Sequence, residues 1–132
     1  MEKDLNIETT ASATSKLLKK KNEARTRLAL FIFSQVRSFL LSPEQDEAEA
    51  AERLYVVTKS YSGIQLESQD RETAHIDGLV EDLKKSEHTA DMTKLRLTSP
   101  LNKLENLNKE FVELHLQRTK ERAAKKLPAT SK

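Results

Sequence analysis

Cysteine and tryptophan are absent from this 132-residue chain, glycine occurs only twice and proline three times. Without cysteine there is no disulfide, no thiolate nucleophile and no thiolate metal site. Two isolated glycines cannot build a phosphate-cradling loop, and no G-x-S-x-G turn presents a serine nucleophile. No apolar run reaches the roughly 20 residues that cross a bilayer. The first residues, MEKDLNIETTASATSKLLKKK, contain no apolar signal-peptide core. These absences point to a cytoplasmic protein that does not engage membranes. Turn formers are scarce while Leu, Ala, Glu and Lys dominate, which is the composition of a helical protein. The length fits one domain with a real core.

What is present centres on Leu28–Leu41, LALFIFSQVRSFLL. Ten of its fourteen residues are apolar, and it holds three of the four phenylalanines. At 100° per residue, Leu28, Phe31, Ile32, Val36 and Phe39 share one side, with Phe33 well away from it. A helix apolar over so much of its circumference is buried by neighbours on more than one side.

Residues 1–12 are polar and predict a flexible start. A first helix runs from about Thr14 into the apolar stretch. Ser42-Pro43-Glu44-Gln45 reads as a helix start, with Ser42 and Gln45 as a capping box. The second helix then spans Pro43 to about Tyr61, acidic in its first turns as the helix dipole favours. Its stripe is Ala50, Ala51, Leu54, Val57 and Tyr61, and the two alanines leave room for a bulky neighbour. Gly63 is the expected stop, after which Ile64 and Leu66 fold back over the core. The third helix follows Ser68, with Ile76, Leu79, Val80 and Leu83 as its stripe. Gly78 inside that stripe implies close approach of another helix. Residues 86–98 are a polar connection with room for a short helix bearing Met92, Leu95 and Leu97. Ser99-Pro100 opens the last helix, which carries Leu101, Leu104, Leu107, Phe111 and Leu114. The expected fold is all-α, an antiparallel four-helix bundle over 13–126 with long first and last helices, and 127–132 as a disordered tail.

Several of these positions form a pattern: Glu49-Ala50-Ala51 with Leu54, Tyr61 with Ile64, Ser68 with Glu72-Thr73, Leu79 with Leu83, and Leu104, Asn108, Phe111 and Arg118. Over about residues 25–125 the pattern resembles an uncharacterised family of all-helical proteins from Bacteroidetes-type bacteria. The resemblance implies a helical fold and longer chains with an additional N-terminal portion. It brings no activity, cofactor or site residue.

Glu72-Thr-Ala-His75 is an E-x-x-H pair, half the ligand set of a di-iron bundle. Such a site needs a second E-x-x-H helix and two more inward carboxylates, and Glu110, Glu113 and His115 lack the spacing. No metal, cofactor or catalytic residue is assigned, and the expectation is a protein that is not an enzyme. Asn108, between Leu104 and Phe111 at core-facing spacing, is either an edge position or a buried amide that fixes register.

Charge is uneven: net +4 over residues 1–41, −8 over 42–91 and +6 over 92–132. Lys19, Lys20, Lys21, Arg25 and Arg27 at one end, and Arg118, Lys120, Arg122, Lys125 and Lys126 at the other, are candidates for phosphate contacts. Glu23 and Glu121 interrupt both runs, and a solvated helix face explains them more simply. Long outer helices overhang the short inner pair and leave Leu17 and Leu18 in need of cover. The reading is therefore a non-enzymatic structural or protein-interaction module that forms a homodimer or meets a protein partner through Leu17 and Leu18. The alternative is a nucleic-acid-binding accessory protein that uses the basic first and last helices, with Arg118, Arg122 and Lys125 as candidate contacts.

Overall fold

A computed structural model describes residues 2–130, with side chains over residues 13–124. Among the described residues there are five α-helices and no strand: α1 (Glu2–Phe39), α2 (Gln45–Thr58), α3 (Gln69–Leu83), α4 (Thr89–Lys94) and α5 (Thr98–Thr130). The all-helical class follows from the composition. Neither glycine nor proline occurs before Pro43, so nothing interrupts α1. The 38 residues of α1 and 33 of α5 make rods of about 50–57 Å, whereas the 14 and 15 residues of α2 and α3 reach only about 20 Å. Both long helices continue past the boundaries read at residues 12 and 126.

α1 lies along α5 over the longest contact of the molecule and also packs on α2; α3 packs on α5 and α2, and α4 on α2. Bonds from Thr14 to Gln117, Lys21 to Glu110 and Arg25 to Asn108 run in opposite directions along α1 and α5, so the pair is antiparallel. Beyond Arg25 the two helices leave the shorter ones and form a two-helix arm.

The apolar core joins Ala29, Ile32, Phe33 and Val36 of α1 to Ala50, Ala51 and Leu54 of α2, and to the stripe Ile76, Leu79, Val80 and Leu83 of α3. Met92, Leu95, Leu97, Leu101 and Leu104 complete it. One expectation is reversed here. Phe33 is buried at 2% exposure, while Phe31 is 46% exposed. The stripe of α1 is rotated by the demands of α2, whose small Ala50 and Ala51 lie in the same core as Phe33.

The punctuation of the chain differs in detail from its sequence signals. α2 starts at Gln45 with Glu44 as N-cap. Ser42 Oγ accepts from the Glu44 amide (3.1 Å) and donates to Glu47 Oε1 (2.7 Å), so the partner of Ser42 is Glu47 instead of Gln45. Gly63 has φ −95° and open space around its α-carbon; α2 has already ended at Thr58 through a 3-10 turn at Lys59–Tyr61. Ile64 folds into the core as expected, but Leu66 points outward. Gly78 does mark a close approach, by an aromatic ring instead of a helix. A Cβ there would lie 3.1 Å from the Tyr61 hydroxyl oxygen. Ser68 caps α3 by accepting from the Arg71 amide. α5 begins at Thr98, so Ser99 and Pro100 fall inside its first turn, where a missing N–H costs no helical bond.

α4 ends without glycine. Arg96 takes φ 59°, and the bonds Leu97 N to Met92 O (2.9 Å) and Arg96 N to Thr93 O (3.1 Å) form a Schellman ending. Leu97 and Met92, both buried, are the residues that such an ending brings together.

Candidate functional site

At the root of the arm a polar layer replaces the apolar one. Arg25 is fully buried at 0% exposure, in line with Leu18 and Ile32 on α1. Its Nη1 donates to Thr73 Oγ1 (2.6 Å) and to Asn108 Oδ1 (2.8 Å), its Nη2 to the Gln69 carbonyl (3.0 Å) and its Nε to Asn22 Oδ1 (3.1 Å). The guanidinium lies 3.7 Å from the Phe111 ring centroid, a desolvated cation–π contact. Glu72 supplies the counter-charge at 3.9 Å from Nε and accepts from Thr26 Oγ1. Burial pushes the guanidinium below its ordinary value, and Glu72, Asp77 and Asp70 oppose that shift. Arginine still stays charged at any ordinary pH.

Asn108 is buried and uses both ends of its amide. Its Oδ1 accepts from Arg25, and its Nδ2 donates to the Thr73 carbonyl (3.2 Å) and to Asp77 Oδ1 (2.8 Å). Of the two alternatives for Asn108, the structure realises the buried, paired amide and not the edge position. The layer ties α1, α3 and α5 together at one level, and Arg25 is closed off from any substrate.

Arg25 thus leaves the basic run to which the sequence assigned it. Lys21 is also engaged, 3.3 Å from both carboxylate oxygens of Glu110. Of the proposed interaction residues, Leu17 is 46% exposed but Leu18 is buried at 3%. Leu18 follows Arg25 and Ile32 in facing α5, so it needs no second chain. Arg118 is half-buried and Arg122 exposed on α5. The side chain of Lys125 lies outside the described residues.

Glu72 and His75 do not converge. Glu72 turns inward to Arg25, while the half-exposed His75 pairs with Glu67 and meets the Tyr61 ring edge-on. Among the described residues no three His, Asp or Glu side chains are placed to hold a metal ion. No helix among them is long and apolar enough to cross a membrane. A shallow groove of about 490 Å³ between α3 and α5 is lined by Asp77, Val80, Glu81, Lys84, Glu105 and Lys109, among others. Its charges are partly spent on each other: Lys84 Nζ donates to Glu105 Oε1 at 2.6 Å and holds that carboxyl below its ordinary range.

Another exposed apolar surface is the side of α1 turned away from the core residues of α2 and α3. Leu17 and Phe31, both 46% exposed, lie along it with the half-buried Ala24 midway between them, while Leu28 beside them packs against the core. This heptad-like spacing is that of a helix seam. Leu107 and Leu114 of α5 are also half-buried.

The profile of a family of unknown function (DUF6261) matches residues 15–132, and the chain belongs to that family. No curated protein and no solved structure matches it.

Proposed function

We propose that this protein is a non-enzymatic structural or protein-interaction module, an antiparallel helical bundle that self-associates through α1. The observation that supports the reading is the apolar seam Leu17–Ala24–Phe31 on the outer side of α1. The large apolar side chains Leu17 and Phe31, half in water on one helix face, give another chain a surface to cover. The polar layer at Arg25 is consistent with a rigid scaffold, because its donors and acceptors are consumed in holding helices.

The test is mass in solution. Leu17→Glu combined with Phe31→Glu should reduce the native assembly to one chain while the helical circular dichroism stays intact. Leu18 is left alone, since its substitution would damage the chain itself. A native protein already monomeric by light scattering at tens of micromolar would end this reading.

The competing outcome is an anionic partner for the basic end of α5, at Arg122 and the residues after it. With Arg25 buried and Lys21 paired to Glu110, fewer cations are available to phosphates than the sequence run offers. Binding to duplex DNA should be weak and should vanish at physiological salt. Tight binding at that salt, lost in Arg118→Gln with Arg122→Gln, would favour the nucleic-acid reading instead.

A further inference from the structure

The outer face of the α1–α5 pair carries a symmetry of its own. The bonds Thr14–Gln117 and Lys21–Glu110 set the register of the two helices. Continued along α1, that register puts Leu17 level with Leu114, Ala24 level with Leu107, and Phe31 level with Pro100. These are three apolar levels spaced seven residues apart on both helices. The two outer levels are large and the central one has its smallest member, alanine, on α1. A half-turn about an axis through the central level therefore exchanges the outer levels and leaves the face apolar against apolar.

Charge follows the same exchange. Lys103 lies four residues before Leu107 and Glu110 three after it, on the same side of α5. The half-turn brings Lys103 of one copy beside Glu110 of the other, twice. Lys103 holds no ion pair among the described residues, and Glu110 is only partly covered by Lys21. Against this, Lys20 and Arg27 face each other at the exposed rim, with Glu23 between them in sequence and salt to screen the repulsion.

We infer that the occupant of this face is a second copy of the same chain, packed antiparallel across a two-fold axis at the Ala24–Leu107 level. The inference rests on the self-association reading and specifies its geometry. An isologous contact requires that residue i meets j and j meets i; here Leu17 meets Phe31, Phe31 meets Leu17, and Ala24 meets itself. The small side chain at the axis lets the α1 backbones approach closely, and the Leu17 and Phe31 levels close over both ends.

The chain contains no cysteine, so single cysteines report position cleanly. Under mild oxidation Ala24→Cys should give a crosslinked chain of twice the mass. Leu17→Cys and Phe31→Cys should each fail to crosslink alone, because the two copies of each position lie about 21 Å apart along the axis at 1.5 Å per residue, and should crosslink when mixed. Charge reversal gives a second test. Lys103→Glu and Glu110→Lys should each weaken the dimer at least tenfold, and mixing the two variants should restore it as a heterodimer. Crosslinking of Leu17→Cys by itself would mean parallel helices and would overturn the geometry. A dimeric native protein whose Ala24→Cys variant stays uncrosslinked would do the same while leaving self-association intact. A monomeric native protein would remove both claims.

Discussion

Two levels of the same helix pair are built from opposite chemistry. At Ile32 and Val36, α1 meets its neighbours through close-packed aliphatic and aromatic groups. Two turns earlier, at Arg25, the same line of α1 delivers a guanidinium into six polar and aromatic partners. The apolar level gains from area removed from water and tolerates rearrangement. The polar level accepts only one alignment of α1, α3 and α5, because each shift of a helix would strand a buried donor. One level supplies stability and the other selects the register.

Removing one member of each level separates these roles. Arg25→Ala leaves Glu72 and Asp77 with a lost counter-charge and should cost about 3–5 kcal/mol in chemical denaturation. Replacing Arg25, Glu72 and Asn108 together by Met, Leu and Leu should recover most of that loss, because well-packed apolar groups often replace a buried ion pair at no net cost. The recovered protein should show broadened amide resonances if the layer sets register. Sharp, native-like spectra from the triple variant would assign the layer to stability alone.

At the apolar level, Phe33→Ala should also cost about 3–5 kcal/mol, whereas Phe31→Ala, half in water in the single chain, should cost the chain measured as a monomer about 1 kcal/mol or less. Equal denaturation midpoints for the two variants would contradict the rotation of the α1 stripe. Arg96→Gly should raise stability by about 1 kcal/mol, since a left-handed residue closes the Schellman turn beneath the apolar end. A loss of stability would mean that the Arg96 side chain outweighs its backbone.

The smallest effect concerns the edge of the apolar level, where Arg53 donates to Asp91 through Nε (2.9 Å) and Nη2 (2.8 Å). Those bonds hold the buried Asp91 carboxyl below its ordinary range. A carboxyl depressed in the folded state stabilises above its unfolded value and loses that contribution as pH falls through the folded one. Asp91→Asn should therefore be less stable than the native chain near neutral pH. The difference should shrink below about pH 4. A pH-independent difference would show that packing, and not the charge pair, is what Asp91 contributes.

The apolar level was largely legible in the sequence and the polar one was not. The stripe of α3 and the alanines of α2 carried their own periodicity, and Met92, Leu95 and Leu97 stood out within a polar segment. Phe31 and Phe33 were exchanged because a helix with apolar residues all round has no unique stripe; the neighbours choose it. Asn108 was suspected because it interrupted a regular spacing. Arg25 does the same, seven residues from both Leu18 and Ile32, but among its lysine neighbours it reads as one more surface cation. Glu72, four residues before Ile76, reads in sequence only as half of an E-x-x-H pair. Three polar residues, each on an apolar line and each on a different helix, were the signature of a buried layer. One chain read segment by segment does not show that they meet.

The position of that layer divides the molecule in time as well as in space. It sits where α1 and α5 leave the cover of α2 and α3, so the amides of the arm have one helix neighbour apiece while those of α1 from Ala29 onward have several. Hydrogen exchange by local opening follows such differences in cover. Opening that starts at the free end of the arm can run inward turn by turn until it reaches Arg25. There the next step would expose a charge and break its bonds to Thr73, Asn108, Gln69 and Asn22 together. Exchange rates along α1 should fall abruptly between Lys21 and Ala29, and in Asn108→Ala that boundary should move toward Ile32.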